Sequence, residues 1–317
     1  MTKSILRTAG VALAALALCA LGTAQPARAY PAQLGVNLPW VAYGHTFGTD
    51  GLHGWTANYS GSQMQGYFND MKSHHCNICR IWVCEDFQGL QFSGDNVTGV
   101  QSSFLTNLED CVSRANGDGI CAYITLLNNV DCIDYPYVVE GNKSAMINNG
   151  LVPIAKALKN YWVQYDLVNE VDYMAQELGW SVTRSFLSAA TSAIHAVCAA
   201  WVTSSTYTQA DYTTNFNSTV GGLGFNCYDI HSYSNSYNPN APVTESEVGN
   251  APLFCGEFGP LSGTYWNATY MDDVLTPGAS SGWHGFLAWD YLGGGSYGLE
   301  GTSAFSTLSS FGSTWGT

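Results

Sequence analysis

Short apolar runs recur along this chain, each closed by polar residues and separated by longer amphipathic stretches. The runs at 34–38, 78–83, 122–127, 162–168, 201–207, 227–231, 252–256 and 285–289 predict eight strands. They are almost continuously apolar rather than alternating, as expected of strands buried on both faces of a parallel sheet covered by helices. Periodic patterns at 102–115, 145–158, 181–199 and 266–275 predict helices between them. The Pro- and Asn-rich stretch at 235–250 predicts a short or missing helix. No Pro-, Ser- or Thr-rich linker and no internal repeat divides the chain, so one domain is expected. Eight strands alternating with helices favour a (β/α)8 TIM barrel over a doubly wound open sheet. The open sheet usually starts with a Gly-rich phosphate loop, and Gly35-Val36-Asn37-Leu38-Pro39-Trp40 is not one.

Residues 1–29 stand apart from this pattern. Lys3 and Arg7 precede an apolar run from Ala9 to Leu21, and Ala27-Arg28-Ala29 follows. This predicts a secretory signal peptide cleaved after Ala29, the run being shorter than the ~20 residues a membrane span needs. Residues 30–317 then form the barrel, close to the ~250 residues typical of that fold. The formal net charge is −14, and loss of Lys3, Arg7 and Arg28 makes it more negative still. So acidic a chain is a poor partner for nucleic acid or an anionic membrane. Cys76, Cys79, Cys84, Cys111, Cys121, Cys132, Cys198, Cys227 and Cys255 remain after the signal. In an exported protein they predict disulfide bonds, with at least one cysteine left over. His74-His75-Cys76-Asn77-Ile78-Cys79 invites a metal reading, but no second pair completes a zinc set. Asn58, Asn96, Asn142, Asn217 and Asn267 begin Asn-x-Ser/Thr sites, relevant only where the host glycosylates.

The chemistry gathers where the apolar runs stop. Tyr165-Asp166-Leu167-Val168-Asn169 ends in Glu170, and Pro252-Leu253-Phe254-Cys255-Gly256 ends in Glu257-Phe258-Gly259. A carboxylate is costly inside a buried strand but can face a cleft at its C-terminal end. In a barrel all such ends face one mouth, so Glu170 at strand four and Glu257 at strand seven would share it. Two carboxylates in one cleft are the minimal machinery for cleaving a glycosidic bond. Other strand ends add Arg80 and Trp82, Asn128-Asn129, His231 and Tyr233, and Trp289. An Arg and a Tyr can orient one carboxylate and keep it ionised. A Trp offers a flat face to a sugar ring.

Asn169-Glu170, His231-x-Tyr233, Gly256-Glu257-Phe258-Gly259, Trp289 and Arg80 in Cys79-Arg80-Ile81-Trp82 together resemble the clan of retaining (β/α)8 glycoside hydrolases. Within it the likeness is to the family-5-like cellulase and β-mannanase group. The resemblance implies Glu170 as acid/base and Glu257 as nucleophile, ~5 Å apart. It implies that Asn169 contacts the sugar 2-hydroxyl, that His231 and Tyr233 organise the site and that Arg80 supports Glu257. Trp289 would floor the reacting subsite. The implied enzyme is secreted, endo-acting on a β-glucan or β-mannan, monomeric and free of metal or cofactor. An exo-acting β-glycosidase and a non-catalytic carbohydrate-binding barrel are the alternatives. Many members follow Asn-Glu with Pro, where this chain has Val171-Asp172.

Structural roles compete with these. Glu170 could cap the next helix, Glu257 could be a turn carboxylate, His231 a core histidine and Arg80 an ion-pair partner. Asp166 reads as structural, and Glu85-Asp86 as loop polarity or substrate contacts. After strand one, Trp40, Tyr43, His45, Phe47, His53 and Trp55 could wall a sugar cleft or pack as a lid. Tyr135, Tyr137, Tyr173, Tyr237 and Trp266 are vaguer candidates for stacking.

Overall fold

A computed structural model describes residues 31–39, 41, 46–49, 57–233, 238, 242–260, 266–293 and 298–315. The chain forms β1 (Gln33–Asn37), β2 (Ile78–Trp82), β3 (Leu90–Ser93), β4 (Asn96–Val100), β5 (Cys121–Asn128), β6 (Val163–Asn169), β7 (Trp201–Thr203), β8 (Tyr228–Ser232), β9 (Leu253–Phe258) and β10 (Gly285–Ala288). Eight of these make one parallel sheet in the order β7-β6-β5-β2-β1-β10-β9-β8. A parallel bridge from Thr206 to Ile230 joins its two edges. The sheet is therefore a (β/α)8 barrel, with all eight expected strands in place.

Helices Gly61–Ser73, Ser102–Gly117, Val152–Leu158, Trp180–His195, Ala268–Ser280 and Ser303–Gly312 flank it. Each turns an apolar stripe inward, such as Phe104, Leu108, Cys111, Val112 and Ala115 of the second. Burying one such side chain contributes about 1.5–3 kcal/mol. Between β8 and β9 the described residues hold only a 3-10 turn, Glu245–Val248, as the composition there predicted. No helix among the described residues is long and apolar enough to cross a membrane.

Two features differ from the expectation. The hairpin β3–β4 was not foreseen; it is antiparallel and turns through Gly94-Asp95, with Gly94 at φ +55°. Gly-Asp between two short β-rich runs is a hairpin signal, masked here by the polar residues around it. The cysteines also differ. All nine are buried and none is joined in a disulfide, and burial pushes thiols such as Cys79, Cys132 and Cys255 well up. They act as small apolar side chains of the core. The His74–Cys79 motif is likewise structural: Cys76 is buried, and the His74 ring stacks on Phe305 at 3.9 Å.

The interior of the barrel changes character along its axis. At the bottom, Ile78, Cys121, Tyr123, Trp201, Cys227, Phe254 and Leu287 form a second apolar cluster. Above it, strand periodicity of two brings Arg80, Asp166 and Asp229 inward, each with no solvent exposure. Gly256 lies against this layer. A Cβ there would stand 2.0 Å from Asp229 Oδ2, and its N–H donates to Asp229 Oδ1 at 2.6 Å.

Candidate active site

Arg80 is the centre of the site. Its Nη1 donates to Glu257 Oε1 and to Asn37 Oδ1 (2.9 Å). Its Nη2 donates to Asp166 Oδ2 and Asn169 Oδ1, both at 2.7 Å. Burial alone would lower its pKa, but Glu257 and Asp166 more than offset that and hold it above its ordinary value. One guanidinium thus fixes a strand-seven carboxylate, a strand-four carboxylate and the amide beside Glu170. Removing one partner from such a network leaves a buried charge uncompensated.

Glu257 is the penultimate residue of β9, at 4% exposure. Its Oε2 accepts from the Tyr233 hydroxyl at 2.9 Å. Burial pushes its carboxyl up, while His231, Arg80 and Tyr233 pull it back. The contact with a permanently charged guanidinium favours the ionised form. Glu170 follows β6 with φ +46° and ψ 56°, a left-handed geometry unusual for a glutamate and common at functional sites. It stands at the N-cap position of the helix Val171–Leu178, yet its side chain makes no capping bond. Instead its Oε1 lies 2.9 Å from His231 Nδ1. Burial, then Asp172, push its pKa up to about 8. The two glutamates therefore differ: one is clamped by Arg80, the other is poised to hold a proton near neutrality.

His231 stands between them, its Nδ1 3.4 Å from Glu257 Oε2 as well. Its Nδ1 thus faces a carboxylate oxygen of each glutamate. Glu170, His231 and Glu257 offer ligand atoms that all lie within 4.8 Å of one another. A cation placed there would meet Arg80, which already bonds Glu257, so the trio suits proton transfer better than metal binding.

The remaining expected residues fall around this centre. Asn169 is buried and its backbone carbonyl accepts from Asn129 Nδ2. Trp289, half-buried beyond β10, faces Trp82 with ring centroids 5.8 Å apart. Trp40 lies outside the described residues, as do Tyr43, His45, His53, Trp55 and Tyr237. Phe47 is fully buried against Tyr59 and Phe104, a packing role. Trp266, Tyr135 and Tyr137 pack on the core. Glu85 accepts from Asn128 Nδ2 at 3.0 Å.

Sequence reasoning missed Asn37, Asp229 and Ser205. Asn37 donates to the Gly256 carbonyl at 2.8 Å and so ties β1 to the Glu257 strand. Ser205 donates to Asp166 (2.9 Å) and accepts from the Glu170 N–H (3.0 Å). Asp229 accepts from Tyr123 at 2.5 Å, and burial lifts it to about 6. A lone Asn or Ser in an apolar run carries no local mark of such partners.

No family model and no curated protein matches the sequence. Solved structures do. A β-1,4-D-mannanase from Cryptopygus antarcticus is 22% identical with a TM-score of 0.69, over 89% of this chain and 90% of that one. A β-1,4-mannanase from the sea hare Aplysia kurodai is 18% identical with a TM-score of 0.69, over 89% and 92%. That likeness shows the fold. A broad specificity endoglucanase from Clostridium acetobutylicum, 17% identical with a TM-score of 0.63 over 88% and 96%, shares it too.

The buried carboxyls also predict how stability depends on pH. Burial lifts Glu85 to about 7, Asp131 to about 8 and Glu170 to about 8. Unfolded carboxyls titrate near ~4. Between those values the folded state binds more protons, so stability falls as pH rises through that window. The melting temperature is expected to be higher at pH 5 than at pH 8. Scanning calorimetry at the two values checks this, and a higher value at pH 8 would contradict it.

Proposed function

We propose that the protein is an exported, retaining endo-β-glycanase acting on a β-mannan or β-glucan. One observation carries the reading. Glu170 and Glu257 present carboxylate oxygens within 4.8 Å, nearer than the ~6.5–9.5 Å that inverting enzymes need for a water between the carboxyls. In the proposed reaction Glu257 attacks the anomeric carbon while Glu170 gives its proton to the leaving oxygen. Glu170, now a carboxylate, takes a proton from water, which attacks the same carbon and releases Glu257. Arg80 occupies Asn169 Oδ1, leaving the Nδ2 hydrogens to donate to the sugar 2-hydroxyl. Trp289 would floor the reacting subsite.

Internal cleavage is favoured by aromatic rings on both arcs of the mouth, Trp82 and Trp289 on one and Tyr207 and Tyr233 on the other. The solved mannanases and endoglucanase on the same fold support the substrate class. The basic-then-apolar stretch ending at Ala29 supports export to the periplasm or medium. Raised thiol pKa values would keep the buried cysteines unreactive there.

The test is digestion of β-mannans, β-glucans, xylans and galactans with product sizing, and NMR of the first-formed anomer. A ladder of oligosaccharides from mannan or glucan, released as the β-anomer, is expected. A first-formed α-anomer would overturn retention, and no hydrolysis of any β-glycan would overturn the enzyme reading.

A further inference from the structure

Three tyrosines step outward from the nucleophile. The Tyr233 hydroxyl bonds Glu257, and its ring stacks on Tyr207 at 5.9 Å and 26°. Tyr207 in turn meets Tyr173 at 5.5 Å and 42°. They follow β8, β7 and β6, the arc of the barrel opposite β10, β1 and β2. Glu170 belongs to the same arc, and its carbonyl accepts from the Tyr173 N–H at 3.0 Å.

The row is built, not incidental. Buried Asp172 accepts from the N–H groups of Tyr207 (2.9 Å) and Thr208 (3.1 Å). It therefore pins the turn after β7 to the helix that starts beside Glu170. Core packing does not require the outer ring. Tyr173, at 37% exposure, and Val130, at 52%, are the exposed large hydrophobics among the described residues. They lie in the first turns of Val171–Leu178 and Asn129–Asp134, two helices that pack together at the mouth.

We infer that Tyr173 and Tyr207 form the binding site for the leaving-group sugars of a neutral β-linked polysaccharide, on the Glu170 side of the scissile bond. This rests on the roles proposed for Glu170 and Glu257, because the acid must stand beside the departing sugar. A pyranose ring turns C–H groups to one face, and an aromatic face is the surface they prefer. The rings are already ordered by Asp172 and Tyr233, so little conformational freedom is lost on binding.

The test uses Tyr173→Ala, Tyr207→Ala and Tyr173→Phe with mannohexaose and cellohexaose. Reducing-end labelling with 18O-water maps the cleaved bond. Each alanine variant is expected to lose about tenfold in kcat/KM, the size of one ring contact. The cleaved bond should also move toward the reducing end, since fewer sugars are then held on the leaving side. Tyr173→Phe should keep the original pattern. The same hexasaccharides are titrated by calorimetry into Glu257→Gln, with and without Tyr173→Ala. Weaker binding in the double variant supports the site even if the parent enzyme cleaves neither sugar, a result that would sink only the glycanase reading. Unchanged cleavage pattern and unchanged binding in the alanine variants overturn the inference, as does a parent that binds neither sugar.

Discussion

Glu257→Ala is expected to lower kcat on the order of 10⁵-fold on any substrate of this enzyme. The reason is positional. Arg80 and Tyr233 leave this carboxylate no freedom to turn aside, and the site holds Glu170 for the opposite task. Truncation opens a space on the face from which the carboxylate would attack. Azide can enter it and bond to the anomeric carbon as the glycosidic C–O bond breaks, with Glu170 still protonating the leaving oxygen. The product would be the glycosyl azide of inverted configuration, identified by NMR. Rescue by azide would also show that the variant folds. Undiminished activity in a folded Glu257→Ala protein would remove Glu257 from the nucleophile role. Glu257→Gln, which keeps the volume, should be equally inactive but without rescue.

Glu170→Ala has the second largest expected effect, and its signature is selectivity. A sugar leaving group needs a proton, so hydrolysis of oligosaccharides should fall by about 10²–10⁴-fold. An activated aryl glycoside needs none, and its first step should be nearly spared. Water activation would still be lost, so the glycosyl-enzyme should accumulate, seen as a burst of phenolate. Azide should then release a product of retained configuration, the reverse of the Glu257→Ala outcome. Equal losses on both substrate types would show that Glu170 is not the acid. In the parent enzyme the same proton sets the alkaline limb of the pH profile. With Glu170 at about 8, kcat/KM should fall as pH rises through that value.

Much of this could be read before any coordinates. The eight barrel strands are legible because full burial on two faces demands uninterrupted apolar runs, a purely local signature. Glu170 and Glu257 are legible because a carboxylate at the end of such a run is conspicuous and the barrel sends all such ends to one mouth. The β3–β4 hairpin was less legible, because neither of its strands is predominantly buried. The state of the cysteines was not legible at all, since pairing depends on distance in the folded chain.

The sequence by itself therefore determined the order of the strands and which polar groups stand at their ends, since periodicity and burial are written in neighbouring residues. Only the tertiary structure decided who meets whom. It joined Arg80 to Glu257 across 177 positions and to Asp166 across 86, and it sent the Glu170 side chain to His231 instead of its own helix. It also lined Tyr233, Tyr207 and Tyr173 into one row. These partnerships depend on barrel register and closure, which bring distant segments within hydrogen-bond range and leave no local trace in the chain.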